Sequence, residues 1–171
     1  MSKFLDPAAV VAHAQFQTGD TIANLGSGSG YFAVAASHEV KETGTVYAVD
    51  VQEAQLEVTQ STARHQNCKN ITVMRADLDK PFNGIPESSC QGVIIGSIIH
   101  EVSHRQVLFE NAYRLLATGG RLLVIEWQKK AAPVGPPITL RIAEEDLIAE
   151  LQRMGLRLLS KIPADDFHYA L

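Results

Sequence analysis

The spacing of hydrophobic residues switches between two periods along the chain. Short apolar runs that read as strands alternate with longer stretches in which apolar residues return every three or four positions, as on one face of a helix. "DPAAVVAHAQF" (6–16) predicts a helix, with Asp6 able to cap it and Pro7 in its first turn. "TIANL" (21–25) is a first strand, "YFAVAASHEV" (31–40) a helix stopped near Gly44, and "TVYAVDV" (45–51) a second strand. A polar helix from Gln52 to His65 precedes a third strand, "ITVMRAD" (71–77), and a loop rich in turn residues, "PFNGIPESSCQ". "GVIIGSII" (92–99) is apolar throughout, as a strand covered on both faces should be. The helix "RQVLFENAYRLLA" ends at Gly119-Gly120 and leads to a fifth strand, "RLLVIEW" (121–127). After the proline-rich crossover "QKKAAPVGPP", Leu147, Ile148, Leu151 and Met154 mark an amphipathic helix stopped by Gly155. "LRLLSKI" (156–162) and "FHYAL" (167–171) read as two last strands.

Strand–helix alternation of this kind predicts an α/β domain, doubly wound, with a mainly parallel seven-stranded sheet and helices on both faces. Ligands of such sheets bind beyond the carboxyl ends of the strands, where the winding direction reverses. That is where Gly26, Gly28 and Gly30 fall, between the first strand and a helix whose free N–H groups face the loop. A tight turn needs one or two glycines. Three in alternation point to a loop that lets a ligand approach the backbone. A nicotinamide fingerprint would put its third glycine at position 31, where this chain has Tyr31, and this argues against a nicotinamide-dependent oxidoreductase. Asp50 closes the second strand, where a carboxylate can accept hydrogen bonds from a ribose diol. Asp77 follows the third, placed to accept from an adenine amino group while Leu78 packs near the ring.

Composition narrows the partners. The 171 residues are 46% hydrophobic and 20% charged, with a formal net charge of −4, which disfavours nucleic acid as the main partner. No apolar stretch has the length of a membrane span, and the opening residues carry no signal-peptide pattern. Cys68 and Cys90 have no metal-ligand spacing and are expected as free thiols, so no metal is expected and the location expected is cytoplasmic. One domain spanning 1–171 is expected.

"NLGSGSG", "VYAVD", "MRADLDKPF", "GVIIGSIIHEV" and "LLATGGRLLVIEW" occur in an order and spacing that resemble the class I S-adenosylmethionine-dependent methyltransferases. The resemblance runs over nearly the whole chain and is nearest to the methyltransferase type 11 and ubiquinone/menaquinone-biosynthesis-like group. It implies a Rossmann-like sheet with an antiparallel last strand, S-adenosyl-L-methionine as cofactor, and transfer of its methyl group to a small-molecule acceptor by in-line displacement. The alternative is a protein that binds S-adenosylmethionine or S-adenosylhomocysteine without transferring anything, as a sensor or partner subunit. A homodimer is left open.

Carried over residue by residue, the resemblance assigns Asn24, Gly26, Ser27, Gly28 and Gly30 to the methionine part of the cofactor. Asp50 and Val51 go to the ribose, Asp77 and Leu78 to adenine, and Ser97, with Ile98 beside it, to the sulfonium. Asn24 departs from the pattern, because the family usually carries Asp or Glu there. The chain also shows no lid segment of the kind many members fold over the substrate. Strand ends supply the candidates for chemistry: His100 and Glu126 as catalytic groups, and Glu101, Arg141, His168 and Tyr169 as substrate contacts. His100 suits a general base because a free imidazole titrates near ~6.5.

Overall fold

The computed structural model describes residues 5–171. Strands β1 (Thr21–Leu25), β2 (Thr45–Asp50), β3 (Ile71–Arg75), β4 (Cys90–Gly96), β5 (Leu116–Trp127) and β6 (His168–Ala170) form one sheet in the order β3-β2-β1-β4-β5-β6. All neighbours are parallel except β5 and β6, which run antiparallel from Ile125↔Ala170 to Trp127↔His168. Helices α1 (Pro7–Ala12), α2 (Tyr31–Val40), α3 (Glu53–His65), α4 (Arg105–Leu115) and α5 (Glu144–Arg153) complete the architecture, with a short 3-10 turn at Ile138–Leu140. The chain winds outward from β1 to β3, then returns to the other side of β1 as β4. The switch point therefore lies between β1 and β4, and the glycine loop opens onto it.

Alternation along each central strand sorts its side chains onto two cores. Ala23, Leu25, Val93, Ile95 and Val124 pack with Leu108 and Phe109 of α4 and Leu147 and Leu151 of α5. Ile22, Val46, Ile94, Leu123 and Ile125 face the other way, toward Val10 and Val11 of α1 and Ala33, Ala36 and Val40 of α2. Small residues on α2 let that helix lie close to the strands. Phe109, 1% exposed, fills the centre of the first core, so Phe109→Ala should cost about 3–5 kcal/mol.

Two expectations need correction. The sheet has six strands, because "LRLLSKI" (156–162) does not join as a strand and makes only one bridge, Ile162↔Ala170. Leu158 and Leu159 remain exposed there, so no buried face fixes a register. Pro163 follows Ile162 with no N–H to extend the ladder. The helix before β5 also stops at Leu115, short of the glycine pair, because Leu116 already pairs with Cys90 of β4. Strand pairing overrides the local helical signal of "LLA".

Candidate functional site

The loop Gly26–Gly30 is held in place by its backbone. The N–H groups of Gly26 and Ser27 both donate to the Val49 carbonyl (2.8 and 2.9 Å), which fastens the loop over β2. Two threonines of α3 hold it from outside: Thr59 Oγ1 donates to Gly28 O (2.7 Å) and Thr62 Oγ1 to Ser29 O (3.1 Å). Asp50 joins the pieces, since its Oδ2 accepts the Gly28 N–H and its Oδ1 the Gln52 N–H, each at 2.9 Å.

Two of the glycines have different reasons to be there. Gly26 has φ 74°, and a Cβ on it would collide with the Ile98 side chain, so β4's loop closes directly onto the glycine loop. Gly28 has φ 50°, and a Cβ there would meet nothing within 4 Å. Space is kept open beside a backbone in the left-handed region.

The end of β1 and the loop after it also carry polar atoms with no partner. Asn24 is fully buried; its Nδ2 donates weakly to Ile94 O (3.4 Å), while its Oδ1 has no protein hydrogen bond. Ser27 Oγ is likewise buried and unpartnered. An orphaned buried acceptor costs about 1–3 kcal/mol, so these atoms favour anything that brings a donor to them.

Further along the rim, Asp77 pairs with Lys80 (2.7 Å) and accepts the Asp79 N–H (3.0 Å); the Lys80 ammonium holds its carboxyl below the ordinary range. Leu78 beside it is buried. Val51 is exposed, with its carbonyl tied to Arg75 Nε (3.1 Å). Ser97, directly after β4, has φ 52° and donates its N–H to Ile125 O (2.8 Å). The loop after β4 is thereby bent over the glycine loop.

The candidates for chemistry separate into two groups. Glu126 is fully buried and makes three contacts: Oε2 accepts the Ile99 N–H (2.9 Å), while Oε1 accepts the Trp127 N–H (2.8 Å) and lies 3.3 Å from His100 Nδ1. The hydrogen bond of His100 to the Glu126 carboxylate raises the pKa of the imidazole, against the opposing effect of burial. His100 Nε2 lies 3.6 Å from the exposed Glu101 carboxylate. Arg141, by contrast, is buried and spends its guanidinium on the carbonyls of Gln128, Lys130, Val134 and Pro136 while lying over the Trp127 ring. His168 packs its ring 4.0 Å from Trp127, and its Nδ1 is 2.8 Å from Asp165 Oδ1. Tyr169 is buried, which pushes its hydroxyl pKa upward, and it donates to Ile142 O (3.2 Å).

Thr59 and Thr62 were missed by sequence reading because α3 is polar overall. Their signal is their spacing of three, which puts two hydroxyls on one helix face. No group of three His, Cys, Asp or Glu suited to a metal occurs among the described residues. None of the helices there is long and apolar enough to cross a membrane.

A doubly wound sheet with a glycine loop at its switch point, an acid at the end of β2 and a second acid after β3 defines a nucleotide-cofactor α/β protein. Residues 22–120 match the family model described as a methyltransferase domain, and the chain belongs to that family, in its class I, S-adenosylmethionine-dependent branch. It is 31% identical over 123 residues to the ubiquinone/menaquinone biosynthesis C-methyltransferase UbiE of Haemophilus ducreyi, covering 71% of this chain and 45% of that protein. It is 28% identical over 121 residues to the demethylmenaquinone methyltransferase of Symbiobacterium thermophilum, covering 70% and 47%. The chain thus spans about half the length of these relatives. The crystal structure of a SAM-dependent methyltransferase from Aquifex aeolicus superposes with a TM-score of 0.87 at 24% identity, over 98% of this chain and 88% of that one, and shows the shared fold.

Proposed function

We propose that this chain binds S-adenosyl-L-methionine at the glycine loop and transfers its methyl group to a small-molecule acceptor. The observation that carries the reading is the pair of buried, unpartnered oxygens, Asn24 Oδ1 at the end of β1 and Ser27 Oγ in the glycine loop that follows it. These acceptors fit the methionine end of the cofactor, whose ammonium brings donors. Asp50, already oriented by two N–H groups, has lone pairs left for the ribose hydroxyls. Asp77 and Leu78 would hold the adenine, Val51 would lie along the ribose, and Ser97 would meet the sulfonium end.

When bound, the cofactor supplies an activated methyl group that needs an aligned nucleophile more than it needs acid–base help. His100 is the residue assigned to the acceptor. Its Nδ1–H donates to Glu126, which leaves the Nε2 lone pair free to take a proton from an acidic O–H or C–H of the acceptor. The resulting imidazolium lies between the carboxylates of Glu126 and Glu101, and both favour its charge. Glu126 acts through His100 and through the Ile99 and Trp127 N–H groups, so its part is positioning. Arg141, His168 and Tyr169 shape the mouth by holding its loops. The relatives' printed names, a ubiquinone/menaquinone biosynthesis C-methyltransferase and a demethylmenaquinone methyltransferase, favour a quinone-related ring as the acceptor class.

Calorimetric titration with S-adenosylhomocysteine and with NAD tests the cofactor half, and binding of the sulfur nucleotide alone is expected. Methyl transfer from labelled cofactor to a panel of small dihydroxylated aromatics tests the acceptor half. Tight binding with no transfer to any acceptor would leave a binding protein in place of an enzyme.

A further inference from the structure

The buried face of α3 carries Leu56, Thr59 and Ala63 at helical spacing, so a hydroxyl stands within an apolar stripe. Thr59 is fully buried, and its Oγ1 donates to a single carbonyl, that of Gly28 (2.7 Å). We propose that Thr59 is a positioning residue for the cofactor: its hydroxyl sets the Gly28–Ser29 peptide so that the Ser29 N–H is presented to the methionine carboxylate. This rests on the reading of the glycine loop as the S-adenosylmethionine site.

The loop's other backbone donors are spent. Gly26 and Ser27 both donate to Val49 O, Gly28 to Asp50 Oδ2 and Gly30 to Ser27 O. The Ser29 N–H has no acceptor among the described residues. A planar trans peptide points its C=O and N–H in opposite directions. Because the Gly28 C=O is drawn to α3, the Ser29 N–H of the same peptide is turned away from that helix. Gly28, with φ 50° and no Cβ, would otherwise let this peptide turn over. Thr59 also presses on the end of the loop, since a Cβ on Gly30 would lie 2.9–3.0 Å from three of its atoms.

Thr62, one turn further along α3, is the internal control. Its Oγ1 reaches Ser29 O (3.1 Å) and Val58 O (2.9 Å) with one proton to give, and the second contact is the ordinary bond of a helical threonine to the carbonyl four residues back. The Ser29 carbonyl shares its peptide with the Gly30 N–H, which Ser27 already takes. Thr59 therefore governs the free donor and Thr62 a used one. A free N–H selects an anion, and the carboxylate supplies it with a charge-assisted bond. The buried oxygens Asn24 Oδ1 and Ser27 Oγ select the ammonium at the same end of the cofactor.

Calorimetry with S-adenosylhomocysteine and with an analogue lacking only its carboxylate isolates this bond. Thr59→Val keeps the shape of the side chain and removes the hydroxyl. It should weaken S-adenosylhomocysteine roughly tenfold and the decarboxylated analogue less than about twofold. Thr59→Ser should restore most of the loss, and the effect of Thr62→Val should not depend on the carboxylate. On the parent chain, saturating S-adenosylhomocysteine should slow hydrogen exchange at the Ser29 amide roughly tenfold more than the saturating analogue does, a readout that needs no variant to fold. Equal losses for both ligands in Thr59→Val, no loss for either, or equal protection of the Ser29 amide overturns the proposal and leaves the cofactor reading in place. Failure of the parent chain to bind S-adenosylhomocysteine overturns both.

Discussion

The two sides of the switch point treat their buried polar groups differently. On the cofactor side, around β1 and β2, the backbone is fully braced while Asn24 Oδ1 and Ser27 Oγ are left without partners. On the side proposed for the acceptor, around β5 and β6, Glu126, Arg141, His168 and Tyr169 are all satisfied from within, leaving the mostly buried His100 between Glu126 and the exposed Glu101. On the proposed function, one side is completed by a ligand. The other is a finished frame that presents one imidazole. A mutation on the first side should therefore be felt mainly in binding, and one on the second mainly in folding.

Glu126→Ala should break the frame most severely. It leaves the Ile99 and Trp127 N–H groups buried and unpaired, a loss of roughly 3–5 kcal/mol readable by urea unfolding. A drop below 1 kcal/mol would show that the acceptor side is not held this way.

Asp50→Ala should separate binding from folding. Loss of charge-assisted bonds to two ribose hydroxyls should cost roughly 1.5–3 kcal/mol of S-adenosylhomocysteine affinity by calorimetry. The Gly28 amide, which donates to this carboxylate, should exchange faster in the same variant. Unchanged affinity in a folded protein would move the ribose elsewhere.

Gly28→Ala sharpens the contrast within the loop. With free space around the new Cβ, the fold should lose only about 1–2 kcal/mol from left-handed strain, while cofactor affinity falls at least tenfold. Gly26→Ala should instead destabilise the fold further, because Ile98 occupies that position. Thermal melts and calorimetry on both variants test the pair.

The smallest effect is a displacement of pH dependence. Because Glu126 raises the His100 pKa, the stabilisation from their pairing is fully present below ~6.5 and is lost as pH rises through the elevated value. A base must be neutral, so transfer should increase with pH through that same value. Glu126→Gln should move this limb down toward ~6.5 in a pH–rate profile of the folded fraction. A limb that stays in place would assign the titration to another group.

The mainly parallel doubly wound sheet and the place of the glycine loop were legible because each rests on local pattern: buried runs for β1 and β4, alternating glycines for the turn. Asp50 and Asp77 were singled out by their places at the end of β2 and after β3, and the resemblance added Asn24, Ser27, Val51 and Ser97. What escaped depends on distance in sequence. Thr59 lies 31 residues from the carbonyl it binds, and nothing around it signals that partner. Arg141 and His168 read as free functional groups until the chain brings Gln128 and Asp165 to them. "LRLLSKI" has the composition of a strand, but only burial can fix a register, and that segment is exposed.

Arg141 gives the proline-rich loop an unusual mechanics. One guanidinium receives four carbonyls spread from Gln128 to Pro136, so a stretch without a ladder is fastened at a single point. Such a loop opens all at once, and its lifetime is that of one side chain's contacts. Lysine could not span those acceptors, since it offers a compact cation in place of a planar fork. Loosening that fork should make the bonds after Lys129 and Lys130 easier for trypsin to reach, so Arg141→Lys should be nicked there faster than the parent chain.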